Sequence, residues 1–299
     1  MNSQSICGRI AIVGKPNVGK STLINSITNE PISIATHKAQ TTRHCILGIK
    51  TIEHIQLIFI DTPGIHSKAT TLLNSKMNKT AGQALHTADL ILWLTDRLQW
   101  SKDDQKVAKY LSTMDVPVIW CINKIDRLQS SAGLNEHIDN TLKEKNWIKY
   151  ILPISARTKF NLTELEDLIS SLCPNAPHCY GPDVITNRDT AFMVSETIRA
   201  HVFKNLHQEI PYATHITIED IKSQDHRIDI NATLWVEKPN QKAIAIGNKG
   251  SMIKRIGTGA RLQLCKLMET KVNLKMLVNI KKDWSNDSSE IAQQNLDGD

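Results

Sequence analysis

At 299 residues, 40% of them hydrophobic, the chain carries enough apolar material for two ordinary globular domains, since single cores stop growing near this size. Its formal net charge of +6 is unevenly spread, and no apolar run approaches the roughly 20 residues of a membrane-spanning helix. The start, MNSQSICGRIAIVG, lacks the basic flank and cleavage site of a signal peptide, so the cytoplasm is the expected compartment. Six cysteines (7, 45, 121, 173, 179 and 265) show no C-x-x-C spacing, which favours reduced thiols. Cys173, His178 and Cys179 lie close in sequence, but no second ligand pair accompanies them, and a proline-rich linker with incidental thiols is the simpler reading.

From Arg9 to Leu172, short apolar runs alternate with longer amphipathic ones. RIAIVG, IQLIFID, DLILWLTD, PVIWCINK and YILPIS predict strands buried on both faces, whereas STLINSIT, DDQKVAKYLSTM and LTELEDLISSL have helical spacing. That order predicts an α/β domain over 7–173, a mostly parallel sheet with helices on both faces and ligand loops at the strands' carboxyl ends. CPNAPHCYGPD breaks both periods and places a linker at 174–189. Beyond it, TAFMVSETIRAHVFKNL predicts a helix, and THITIEDI with RIDINATLWVEK predicts a hairpin. A helix over 251–269 and the strand KVNLKMLVNIK complete a smaller α+β domain over 190–284. QKAIAIG is ambiguous, alternating like a strand but short enough for a helical turn. The acidic remainder, 285–299, is expected to be a flexible tail.

Four motifs then fall in order on four strand ends. GKPNVGKS matches G-x-x-x-x-G-K-[ST] between a predicted strand and a predicted helix, the setting a phosphate loop needs. Gly14 and Gly19 let the backbone curl so that N–H groups along the loop, through Asn17, Val18 and Thr22, face phosphates. Lys20 adds a cation, and Ser21 offers a hydroxyl to Mg2+. DTPG places Asp61 at a strand end, where it can hold Mg2+ through water, and Gly64 can present its N–H to a γ-phosphate. NKID supplies Asp126, which can accept from guanine's ring N–H and exocyclic amine together. Asn123 can bridge the surrounding loops, and the Lys124 stem can cover one face of the base. SAR puts Ser155 and an N–H near Ala156 within reach of the guanine oxygen. Each motif alone also occurs as an ordinary turn; the set in this order does not.

These motifs, with KAQTTRH, LNSKMNKTA, EIPYATHITIE and GNKGSMIKRIGTGAR, resemble the Era-like GTPases of the translation-factor-related class, over most of residues 8–284. The resemblance implies bound GTP or GDP with Mg2+, and Thr42 as the switch threonine reaching Mg2+ and the γ-phosphate. From the residues alone, Thr41 and Thr42 are indistinguishable. By the same likeness the first switch is 33–42 and the second runs from 61 to about 79, and Lys20, Thr42 and Gly64 form the catalytic set. Ile65 stands where small signalling GTPases have a glutamine, and a hydrocarbon cannot orient water, so slow intrinsic hydrolysis raised by a partner is expected. Some relatives use an asparagine at the position of Asn17 to help hold K+; an ordinary turn residue is the equal alternative.

Residues 238–275 carry nine Lys/Arg against one acid, a local surplus that favours a polyanion. Within them, Gly247, Asn248, Lys249 and Gly250 resemble the G-x-x-G loop of a type II KH domain, which clamps the backbone of single-stranded nucleotides. Glycines at 247 and 250 allow close approach, and Lys242, Lys249, Lys254 and Arg255 form a cationic rim. Ile244, Ile246, Ile253 and Ile256 are candidates for an apolar groove wall, with core packing the competing role for at least two. The family order also favours a helical turn at QKAIAI. The resemblance implies binding of the 3′ end of 16S rRNA during maturation of the small ribosomal subunit, by a monomer. Docking of the basic helix on anionic lipid, at the cytoplasmic face of the inner membrane, is a secondary expectation. The rivals are a P-loop kinase or ATPase, which NKID disfavours, and an RNA-binding module with a vestigial nucleotide fold, which intact Lys20, Ser21, Asp61 and Asp126 disfavour.

Overall fold

The computed structural model describes residues 5–33, 45–62, 72–127 and 134–288, and its main division falls between Asn187 and Arg188. Before that division the strands are β1 (Ile6–Val13), β2 (Ile46–Ile52), β3 (Ile55–Asp61), β4 (Leu90–Thr95), β5 (Val118–Ile122) and β6 (Ile148–Pro153). They interleave with α1 (Lys20–Thr28), α2 (Leu72–His86), α3 (Lys102–Leu111), α4 (Leu134–Glu144) and α5 (Leu162–Leu172). The sheet order is β2-β3-β1-β4-β5-β6, parallel throughout except for β2 against β3.

Both faces of this sheet are covered, which is why β4 and β5 are apolar without alternation and buried at every position. On one face Ile10, Ile12, Phe59 and Leu92 pack with Leu23 and Ile27 of α1 and Leu165 and Ile169 of α5. On the other, Trp93 and Trp120 stack at 5.5 Å and Trp100 meets both edge-on, beside Ala108 and Leu111 of α3. Each such side chain contributes roughly 1.5–3 kcal/mol on full burial. Ser101 caps α3 reciprocally with Asp104, so the helix start is fixed.

The sequence reading missed β2. Its residues follow a polar stretch and form a hairpin with β3 through Glu53, whose φ of 51° lies in the left-handed region. The segment expected as a linker packs through residue 187 onto the first unit. The Cys7 N–H donates to Pro174 O at 3.2 Å, that of Ala176 to Ser5 O at 2.9 Å, and that of Ile49 to Ile185 O at 2.8 Å. Buried Gln56 supplies more of the docking: its Oε1 accepts from the N–H groups of Cys179 and Tyr180, and its Nε2 donates to Tyr180 O. A proline-rich strip whose peptide groups find such partners need not remain loose.

The second unit contains α6 (Thr190–Asn205), β7 (Thr214–Gln224), β8 (Arg227–Val236), α7 (Pro239–Ile246), α8 (Ser251–Leu267) and β9 (Lys271–Ile280). β7 and β8 form the expected hairpin; β8 and β9 run parallel, so the chain between them crosses over through α7 and α8. QKAIAI is helical, as the family order implied: Pro239 presets the first turn, and the alternation counts only Ala245 as fully buried. Val194, Ile198 and Val202 of α6 pack on Ile256, Ala260 and Leu264 of α8 and on Leu234 of the sheet. Close approach of the two helices uses Gly259, where an added Cβ would lie 2.4 Å from the His201 ring.

Candidate functional site

β1 ends at Val13 and α1 begins at Lys20, so the phosphate loop lies between a parallel strand's carboxyl end and a helix N-terminus. Gly14 has φ 152°, and a Cβ there would sit 2.4 Å from Leu94 O; Gly19 has φ 107°, and a Cβ there would meet Asn123 Nδ2 at 2.4 Å. Both positions need glycine. Val18 is fully buried and anchors the loop in the core, while Asn17 is exposed with φ 64°. Thr22 sits half-buried in the first turn of α1.

Lys20 is buried, and its ammonium donates to the carbonyls of Gly14 at 2.9 Å and Lys15 at 3.3 Å. Burial pushes its pKa down, and the nearby Asp61 carboxylate opposes that. Asp61, at the end of β3, accepts from Ser21 Oγ at 2.9 Å and Ser33 Oγ at 2.5 Å. The hydroxyl of Ser21 and the carboxylate of Asp61 therefore form a compact group of hard oxygen donors beside the lysine, the donor set Mg2+ prefers. Thr42, Gly64 and Ile65 lie outside the described residues, as do 34–42 of the first switch segment and 63–71 of the second.

Asn123 links the NKID loop at once to the phosphate loop and to the SAR loop. Asn123 Nδ2 donates to Val18 O at 2.7 Å, and its Oδ1 accepts from the Ala156 N–H at 3.0 Å. An N–H near Ala156 is the expected donor to the guanine oxygen; that of Ala156 itself is engaged by Asn123. Asp126 Oδ1 accepts from Ser155 Oγ at 2.7 Å, and the Arg157 guanidinium lies 3.7 Å from Oδ2. The Ser155 hydroxyl is the first cause holding the Asp126 carboxyl below its usual range. Lys124, at φ 63°, reaches the Asn17 carbonyl at 2.5 Å.

A second network involves Lys124 and three residues that carried no sequence signal, Lys15, Asp96 and Asp104. Lys15 Nζ lies 2.8 Å from Asp96 and 3.2 Å from Asp104, and Lys124 Nζ lies 3.3 Å from Asp96. One carboxylate thus ties the phosphate loop to the base-reading loop. Burial alone would lower the Lys15 pKa, but the two carboxylates raise it above the ordinary lysine value. Asp96 is correspondingly held low: the two lysines outweigh the opposing effect of burial. Asp96→Asn keeps the shape and removes the charge both lysines need. Guanine nucleotide should then leave about tenfold faster, a loss of roughly 1.4 kcal/mol. Stopped-flow release of a fluorescent GDP checks this, and an unchanged rate would reduce the network to a purely structural role.

In the second unit, Gly247 (φ 73°) closes α7 and Gly250 (φ 79°) starts α8, with Lys249 between them at φ 47°. An added Cβ at Gly247 would collide with Met252 N at 2.8 Å, whereas at Gly250 it would meet open space. The loop is therefore tight at one glycine and open at the other. Asn248, Lys249, Lys254 and Arg255 are exposed, and Lys242 is half-buried. Of the four candidate groove isoleucines, Ile256 is core, Ile246 and Ile253 pack against the core, and Ile244 remains 49% exposed. The burial pattern of α7 assigns that one residue to the surface.

Two family descriptions match the chain: 50S ribosome-binding GTPase over residues 9–124 and KH domain over residues 209–285. GTPase Era of Pseudomonas savastanoi pv. phaseolicola is 41% identical over 287 residues, covering 94% of this chain and 93% of that protein. GTPase Era of Azotobacter vinelandii is 42% identical over 281 residues, with the same shares covered. Among solved structures, Era in complex with MgGDPNP and nucleotides 1506–1542 of 16S ribosomal RNA is 32% identical, with a TM-score of 0.91. That match covers 98% of this chain and 99% of the other. A variant of Aquifex aeolicus Era bound to GDP and AlF4− gives the same identity, TM-score and coverage. With a phosphate loop joined to the NKID and SAR loops through Asn123, and with relatives matching both of its units, the chain belongs to the Era family of GTPases.

Proposed function

We infer that this GTPase is a switch protein: GTP held by the first unit governs how the second grips the 3′ end of 16S rRNA during small-subunit maturation. The observation that supports the reading most is the pair of hydrogen bonds of Asn123, to Val18 O and from Ala156 N–H, which links the phosphate loop to the NKID and SAR loops. Its companion is the glycine-framed loop 247–250, with its cationic rim, in a unit of KH topology. The rRNA segment comes from the relative solved with nucleotides 1506–1542 of 16S ribosomal RNA.

At the nucleotide site, Lys20 and the loop amides bind the phosphates, and Asp126 orients the base. Ser21 and Asp61 would supply protein oxygens to Mg2+, and by the family resemblance Thr42 would join them and the Gly64 N–H would serve the γ-phosphate. The metal, when bound, neutralises charge on the phosphate oxygens. With Ile65 after the D-x-x-G glycine, intrinsic turnover is slow and rises when the partner RNA or subunit binds. Asn17 is the candidate K+ ligand; equal turnover in K+ and Na+ would return it to a turn residue. No helix among the described residues is long and apolar enough to cross a membrane. Cytoplasmic residence as a monomer, with peripheral docking of the basic helix on the inner membrane, follows from the family reading.

Displacement of fluorescent GDP by GTP and by ATP, followed by hydrolysis assays with and without a 16S 3′-terminal oligonucleotide, tests the proposal. GTP should displace at least about a hundredfold more effectively than ATP, since adenine leaves the Asp126 acceptors unpaired. Hydrolysis should accelerate with the RNA. Equal displacement by ATP would favour a P-loop kinase instead.

A further inference from the structure

Where residues 174–187 cross the start of β1, thiols distant in sequence come together. Cys7 Sγ lies 3.7 Å from Cys179 Sγ, although the residues are 172 positions apart. Cys7 is 5% exposed, inside the sheet, with its thiol 3.8 Å from Gln56 Oε1. Cys179 is exposed. The backbone of Cys179 is fixed, because the same Gln56 oxygen accepts its N–H at 2.8 Å. An exposed cysteine thus has its sulfur against that of a buried one. Among the described residues no group of three His, Cys, Asp or Glu is placed to hold a metal ion.

We propose that Cys7 and Cys179 are a peroxide-responsive thiol pair, which closes to a disulfide that staples the 174–187 segment to β1. The Cys179 thiolate attacks one oxygen of hydrogen peroxide. The O–O bond breaks, leaving Cys179 as a sulfenic acid, and the departing hydroxide takes up the thiol's proton as water. The Cys7 sulfur then attacks the sulfenic sulfur: the S–S bond forms, the S–O bond breaks, and the Cys7 proton leaves with that oxygen as a second water. Two thiols lose two electrons, and one peroxide gains them. The assignment of roles follows exposure. Burial raises the Cys7 pKa, so that thiol is a poor target for peroxide in solution and reacts with the sulfur already beside it. Cys173 is the remaining neighbour, and burial pushes its thiol up to about 12, which takes it out of the first step.

The pair sits at the start of β1, and the phosphate loop follows that strand's other end, about 20 Å away at roughly 3.3 Å per residue. Nucleotide affinity should therefore not change on oxidation. Stability of the first unit should: closing so long a loop is expected to raise its Tm by roughly 5 °C or more. The test treats the full-length reduced protein with hydrogen peroxide, followed by non-reducing digestion and mass spectrometry. A Cys7–Cys179 linked peptide, removed by dithiothreitol and accompanied by the Tm rise, is expected. Cys7→Ser should instead leave Cys179 as a sulfenic acid that dimedone traps. Cys179→Ser, a change at an exposed position that leaves the core intact, should abolish both the link and the trapped adduct. The proposal is overturned if peroxide yields no such link, whether Cys179 stays alkylatable, advances to sulfinic acid, or pairs with Cys179 of another molecule.

Discussion

Replacing Asp126 by Asn should weaken GTP binding by about 10²–10³-fold and shift preference toward xanthine nucleotides. The carboxylate can accept from two guanine donors, and each charge-assisted bond contributes roughly 1.5–3 kcal/mol, so losing the better part of two gives a change of that size. An amide offers one donor and one acceptor, a pattern that suits xanthine's carbonyl and ring N–H. The local fold should survive, because Asn retains the oxygen that accepts from Ser155 Oγ at 2.7 Å in the parent. Nucleotide titrations with guanine and xanthine diphosphates measure the effect directly. GTP affinity unchanged within twofold would remove Asp126 from base recognition.

Gly250→Asp should lower affinity for single-stranded RNA by about a hundredfold while leaving GTP binding unchanged. Space is not the obstacle, since an added Cβ there meets nothing within 4 Å. The left-handed φ of 79° is one that aspartate tolerates better than most residues. What changes is charge: a carboxylate enters the loop where phosphate must approach, beside Lys249 and at the start of α8. A lost phosphate contact plus like-charge repulsion is worth on the order of 3 kcal/mol, hence the hundredfold estimate. Gly250→Ala is the control, and it should lose much less. Gly247→Ala is a poor substitute because its Cβ would collide with Met252 and distort the loop itself. RNA affinity retained in Gly250→Asp, or GTP affinity lost with it, would contradict the assignment of RNA to this loop.

The parts of the molecule legible in sequence share one property: their residues are contiguous. The phosphate loop, NKID and G-x-x-G each put chemistry and backbone demand into fewer than ten consecutive positions, so spacing alone expresses them. Parallel strands were legible for a related reason, since burial on both faces makes each a continuous apolar run. What stayed hidden depends on distance along the chain. Lys15, Asp96 and Asp104 are single charged residues, and the Lys15 and Asp104 partners lie 89 positions apart. No local pattern distinguishes them from solvated surface charges. Gln56 reads as one polar residue in an apolar strand, yet its amide receives the segment at 179–180. The strand β2 was missed because its partner, not its own pattern, defines it. QKAIAI is the opposite case: its period-2 pattern left strand and helix open, and the helix that the family order favoured forms behind a proline at the first helical position, with one of its residues fully buried.

The central claim is that guanine nucleotide in the first unit sets the grip of the second on RNA. Equilibrium titration of a 16S 3′-terminal oligonucleotide with the full chain, loaded with GDPNP, loaded with GDP and nucleotide-free, tests it most directly. Dissociation constants are expected to differ between the GDPNP and GDP forms by about fivefold or more, the lower end of ordinary coupling between linked sites. One constant shared by all three states, on the free oligonucleotide and on the assembling subunit alike, would contradict it.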